Sequence, residues 1–182
     1  MRTQVIGLLF LGLTSLMTAQ TSADNINVDD EINNVELNNL VISANSKYMN
    51  KAYDENASNT IKNLEQIVAS FKIKNTSTYS SEFDSYLVNF RNDKTAINTV
   101  YNSDGTILSS NEKFKDVLMP HTVRQALYKE YPGWTIHKNS YHVSYTENRN
   151  VKKLYKIQVR KDGEKKNLKV DIVNNTAIVS TY

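Results

Sequence analysis

The stretch from Leu118 to Asp162 constrains this chain more than any other. Pro120 stands where a helix can begin without losing a hydrogen bond, and Val123, Ala126, Leu127 and Tyr131 follow at three- and four-residue spacing. Pro132 disfavours helical geometry at Tyr131 and Gly133 releases the chain, so the helix ends there. Behind it Tyr141, Val143 and Tyr145 alternate with polar residues, as do Tyr155, Ile157 and Val159, and Asp162-Gly163 supplies a tight hairpin turn. A helix followed by an antiparallel meander must bury the apolar stripe of the one against the apolar face of the other. The predicted class is α+β.

The same order of elements is legible upstream. Ile61, Leu64, Ile67, Val68 and Phe71 fall on one face of a helix over Asn59 to Phe71, capped by Ser58 or Asn59. Lys72 to Ser81 is polar and reads as an irregular edge strand. Tyr86, Val88 and Phe90 alternate in a strand, Asn92-Asp93 turns, and Ile97, Thr99 and Tyr101 alternate in the next. Asn102-Ser103-Asp104-Gly105 fits a hairpin turn and Thr106 to Leu108 returns. Leu108 to Met119 reads as a connector with a helical turn around Phe114 and Val117. Leu168, Val170 and Ile172 give a further strand, and Asn174-Asn175 turns into a last one over Ala177 to Thr181, where a glycine turn is the usual choice.

Two tandem units follow from this order. Tyr86-Leu87-Val88-Asn89-Phe90-Arg91-Asn92-Asp93 lies over Tyr155-Lys156-Ile157-Gln158-Val159-Arg160-Lys161-Asp162, with tyrosine, arginine and aspartate identical and the apolar positions matched. Thr60-Ile61 lies over Thr122-Val123, Ile97 over Leu168, and Thr106 over Thr176. Chance alignment of amphipathic strands is the competing explanation, but helix, strands and turns recurring in one order favour duplication over residues 58–110 and 111–182. Each unit alone has too little core, so the two are expected to share one.

Residues 1–23 read as a signal peptide: Arg2, an apolar run from Val5 to Met17, and small residues at Ala19 or at Thr21-Ser22-Ala23 for cleavage. The run is short for a membrane anchor, and no cysteine follows it to carry a lipid. The expectation is an exported chain, periplasmic or secreted. Residues 24–57 read as a leader, acidic and mobile from Asp24 to Glu36, with a short strand over Leu37–Ser43 and a short helix over Ser46–Tyr53. With no cysteine at all, stability has to come from packing, and 11 tyrosines, 5 phenylalanines and one tryptophan can supply it. Residues 24–91 carry ten acidic and six basic residues, whereas residues 92–182 carry nine and fifteen, so the C-terminal half is the basic one.

Leu118-x-Pro120, Tyr131-Pro132-Gly133-Trp134, Tyr155-Lys156-Ile157 and Lys161-Asp162-Gly163, behind a signal peptide, resemble the PepSY-like, β-lactamase-inhibitor-protein-like exported proteins of Bacteroidetes. The resemblance covers about residues 40–180 and is strongest from Val100 to Asp171. It implies a helix packed on one face of an antiparallel meander, repeated in tandem, with no established catalytic activity. The wider group is associated with holding peptidases inactive.

No reaction is named by the side chains. His137 and His142 are five apart on a strand, which puts them on opposite faces and speaks against a metal site, and His121 sits at an exposed helix start. Asp29-Asp30-Glu31 lies in the leader, and Asn102-x-Asp104-Gly105 lacks the ligands of a calcium loop. No nucleophile elbow, zinc-protease motif or phosphate-cradling glycine loop occurs. The expectation is a non-enzyme without cofactor or metal. If Tyr155, Ile157 and Val159 face the helix, Lys156, Gln158 and Arg160 face the other way, and Lys165, Asn167, Lys169 and Asp171 share that side. This basic face is either a solvated surface or a dock for an acidic partner. Trp134, Tyr141 and Tyr145 read either as core at the helix-to-strand junction or as aromatic anchors beside Lys156 and Arg160. The functional expectation is a protein-binding module, an inhibitor or regulator of a secreted or periplasmic enzyme. The alternatives are a binder of anionic polymer and a purely structural envelope module; nucleic acid is not expected of an exported protein.

Overall fold

The computed structural model describes residues 25–27 and 45–182. The expected signal peptide and the strand expected over Leu37–Ser43 lie outside the described residues. One sheet of eight strands runs through the molecule in sequence order: β1 (Asn25–Asn27), β2 (Ser85–Arg91), β3 (Thr95–Asn102), β4 (Ile107–Lys115), β5 (Thr135–Thr146), β6 (Lys152–Lys161), β7 (Glu164–Val173) and β8 (Thr176–Thr181). β2 through β8 form an antiparallel meander, and β1 joins the free side of β2 in parallel. Helices α1 (Ser46–Ala52), α2 (Asn59–Ser70) and α3 (His121–Glu130) complete an α+β architecture. No described helix is long and apolar enough to cross a membrane.

The core forms because one face of the sheet and the apolar stripes of the helices alternate at matching positions. Tyr86, Val88 and Phe90 of β2, Ile97 and Tyr101 of β3, Phe114 of β4, Tyr141, Val143 and Tyr145 of β5, Tyr155, Ile157 and Val159 of β6, and Leu168 and Val170 of β7 are buried together. They meet Ile61, Leu64, Ile67 and Val68 of α2 and Val123 and Leu127 of α3. The Ser58 side chain accepts a hydrogen bond from the Ile61 amide and caps α2. Tyr101 donates from its hydroxyl to the Val68 carbonyl at 2.7 Å, tying the end of α2 to the sheet. Buried Asn45 knits three segments: its amide donates to the Ala69 and Gly105 carbonyls, and its oxygen accepts from the Ile107 amide at 2.8 Å.

Several elements differ from the sequence expectation. The segment read as a connector around Phe114 is β4, a nine-residue strand in the middle of the sheet. Its inward positions carry Ser110 and Glu112, polar residues that broke the apolar alternation. Lys72 to Ser81 holds a 3-10 turn at Ile73–Asn75 and no strand. Part of the acidic leader, Asn25–Asn27, is a strand. Pro120 caps α3 from outside, with His121 its first helical residue. Asn174 and Asn175 both adopt positive φ and make the turn for which glycine was expected, since asparagine tolerates that region.

β5 starts earlier than the alternation of Tyr141, Val143 and Tyr145 suggested, because the register with β6 shifts between Ile136 and Lys138. The bulged residue is His137. The extra residue lets even-numbered Ile136 face the core along with odd-numbered Tyr141. The alignment of Tyr86–Asp93 with Tyr155–Asp162 lays β2, the first strand after α2, over β6, the second strand after α3. β5 therefore has no counterpart in the first unit, and β1 occupies the sheet position beside β2. The unit boundary expected between 110 and 111 falls within β4.

Candidate functional site

All the helices lie on one side of the sheet, so the other face stands open among the described residues. Strand pairing lines up its outward side chains in rows. Lys115, Ser140, Lys156, Lys169 and Ser180 form one row across β4 to β8. Arg91, Ala96, Lys113, His142, Leu154, Asp171 and Ile178 form the next. Lys138, Gln158 and Asn167 form a third, and Thr135, Arg160 and Lys165 a fourth. Asp171 is the acidic side chain that the described strands carry to this face, and it is paired with Lys169 at 2.8 Å.

Lys113, Lys115, Lys138 and Lys156 converge on a shallow groove that Asn167 and Tyr182 help to line. The Lys156 amine sits 5.7 Å from the centre of the Tyr182 ring. Two histidines register the positive field here. Burial, then Lys156 and Lys113, hold the His142 imidazole below its ordinary pKa, and its Nε2 is 2.9 Å from the Ser140 hydroxyl. His137 is held low by partial desolvation and by Arg160, Lys138 and Lys165. The lysine and arginine contributions to these two shifts, second to desolvation, have the sign that favours an approaching anion.

The expected site residues separate into two places. Lys156, Arg160, Lys165 and Lys169 share the open face. Tyr141 and Tyr145 are 0% and 1% exposed in the core, so they offer no surface to a partner. Tyr141 stacks on Tyr155 at 4.6 Å, and Tyr145 meets Tyr48 edge to face at 5.3 Å. Trp134 lies on the helix side, away from Lys156 and Arg160, edge to face with Tyr131 and under the Lys166 amine at 4.6 Å. The His137 bulge sets that side. Sequence reasoning missed Lys113 and Lys115 because β4 was not read as a strand, and Lys138 because the strand was read from Tyr141 onward while β5 begins at Thr135. A count of Lys113, Lys115 and the apolar Phe114 between them was the available signal.

A second constellation lies in the core, around two glutamates that were not among the expected site residues. Glu65 on α2 is 0% exposed and Glu112 on β4 is 3% exposed. Glu112 Oε1 accepts from the Tyr48 hydroxyl at 2.7 Å and from Ser110 at 2.9 Å, and Ser110 is 3.1 Å from Thr99. Both Glu65 oxygens, Glu112 Oε2 and the Tyr141 and Tyr155 hydroxyls have no hydrogen-bond partner among the described residues. Burial, reinforced by the Glu112 charge, pushes the Glu65 carboxyl far above the usual carboxylate range. Burial also raises Glu112, less so, because Tyr48 and Ser110 donate to its charged form and Lys153 lies nearby. Glu65 was legible as the residue four after Ile61 and three before Val68, on the buried stripe. Among the described residues no group of three or more histidine, aspartate or glutamate side chains is placed to hold a metal ion. No family model, curated protein or solved structure matches this chain.

Proposed function

We propose that this chain is a non-catalytic exported binding module whose open sheet face docks an acidic segment of a protein partner, as an inhibitor or regulator of a secreted or periplasmic enzyme. The observation that carries this reading is the charge of the face: among the described strands lysine and arginine recur on β4 to β7 with Asp171 alone in opposition. The order of helix and meander, given twice by α2 with β2–β4 and α3 with β5–β8, supports two tandem units of PepSY-like, β-lactamase-inhibitor-like kind. A rigid sheet suits docking, since its side chains stand at fixed spacing and little ordering is needed on binding.

The second reading, an envelope-associated binder of anionic polymer, is favoured by the shallowness of the groove. Tyr182, 65% exposed, is its one large aromatic, and a contact made by charge alone suits a repeating polyanion. A fluorescent oligoglutamate peptide titrated against the protein tests the site. The triple variant Lys113→Glu, Lys138→Glu, Lys156→Glu is expected to lose about tenfold or more in affinity, whereas Lys62→Glu, Lys72→Glu, Lys129→Glu on the helix side stays within about threefold. Equal loss in both variants overturns the site. Repeating the titration with an acidic polysaccharide over a range of salt separates the readings, because a polymer held by charge alone dissociates steeply as salt rises.

A further inference from the structure

We propose that Glu65 and Glu112 hold one proton between them, and that this shared proton fastens α2 to the sheet. The argument starts from hydrogen-bond accounting. A carboxylate removed from water and given no donor is among the costliest groups a core can contain, unless it takes up a proton. Glu65 has no donor on either oxygen among the described residues, and the charge of Glu112 works against its ionisation. Glu112 is the better anion, since Tyr48 and Ser110 both donate to its Oε1. Its Oε2 has no partner.

Placing the proton on Glu65 answers both deficits. The neutral acid becomes a donor, and Glu112 Oε2 is an unpaired acceptor in the same core. The surrounding groups agree with this assignment. Lys153 of β6 donates to the Tyr53 carbonyl at 3.1 Å and supplies one positive charge, which balances one carboxylate and not two. Asp54, after α1, adds negative charge that works against ionising Glu65. Tyr101 of β3, Tyr141 of β5 and Tyr155 of β6 are phenols whose own ionisation is pushed further up by burial, so they remain neutral donors. A single proton is what leaves the two carboxyls with one negative charge against the one positive charge of Lys153.

The folded chain then holds a proton that the unfolded chain has already released above the usual carboxylate range. Stability is fully present below that range and is lost as pH rises through the raised folded value. Thermal unfolding of the whole protein at fixed ionic strength is expected to show the midpoint falling by about 5 °C or more between about pH 5 and about pH 9. Glu65→Gln keeps a donor for Glu112 without an ionisable proton, so its midpoint varies much less over the same span and exceeds the wild type at the alkaline end. Carbon-13 NMR of the glutamate carboxyl groups in the wild type gives the same answer without a variant: one buried carboxyl must titrate far above the rest. A flat wild-type profile, a wild-type slope retained in Glu65→Gln, or all glutamates titrating in the usual range overturns the proposal. Stabilisation of the alkaline form by added calcium or sodium chloride, beyond that given by choline chloride at equal ionic strength, also overturns it by putting a metal ion where the proton belongs.

Discussion

At the scale of single residues, Tyr48 shows how a polar group is made tolerable in this core. Its ring packs edge to face on Tyr145 at 5.3 Å while its hydroxyl reaches Glu112 at 2.7 Å, so one side chain fills space and satisfies charge. Tyr48→Phe keeps the volume and leaves Glu112 Oε1 with Ser110 as its donor among the described residues. A loss of about 1–3 kcal/mol is expected in urea unfolding, as for a buried acceptor deprived of a donor. A loss no larger than that of Tyr53→Phe, whose ring is only half-buried, would contradict this role for the hydroxyl. Trp134 teaches a different lesson. Its sequence neighbours left both a core position and a surface anchor open, and a one-residue bulge at His137 turns it to the helix side, against Tyr131 and Lys166.

At the scale of elements, β5 and β4 carry most of what distinguishes this sheet. In β5 the bulged His137 can be removed without changing the face of any other residue, since Ile136 and Lys138 already point to opposite sides. Deleting His137 is expected to change stability by about 1 kcal/mol or less. Deleting Ser140 moves Lys138 into the core and Ile136 out of it, and is expected to cost roughly 3 kcal/mol or more. Comparable urea midpoints for the two deletions would contradict this account of the register. The same elements mark how far the sequence could be read. α2, α3 and the strands around Phe90, Tyr101, Tyr145, Val159 and Val170 were legible because their apolar residues keep a period of 3.6 or 2. β4 was not, because Ser110 and Glu112 stand where alternation asks for apolar side chains. The parity change in β5 was also hidden, since a bulge depends on pairing with β6 and leaves no periodic trace. On the open face Lys156, Arg160, Lys165 and Lys169 followed from simple alternation, whereas Lys113 and Lys115 depended on the hidden strand β4 and Lys138 on the early start of β5.

At the scale of the whole molecule, the two faces of one sheet have been given different tasks. The helix side holds the tyrosine-rich core and its buried carboxyl pair; the open side concentrates basic residues of the C-terminal half, which the sequence showed as a charge imbalance and, on β6 and β7, as one face of the alternation. Because the sheet is continuous from β2 to β8, residues as distant in sequence as Lys113 and Lys156 are brought to one groove by strand pairing. The central claim is that this face is where an acidic partner binds. The most direct measurement is an amide NMR titration of the protein with an oligoglutamate peptide at moderate salt. The account predicts shifts concentrated at Lys113, Lys115, Lys138, Lys156, Lys169 and their strand neighbours, with α2 and α3 unmoved. Shifts centred on the helices, or none on β4 to β7 while the peptide binds, would contradict it.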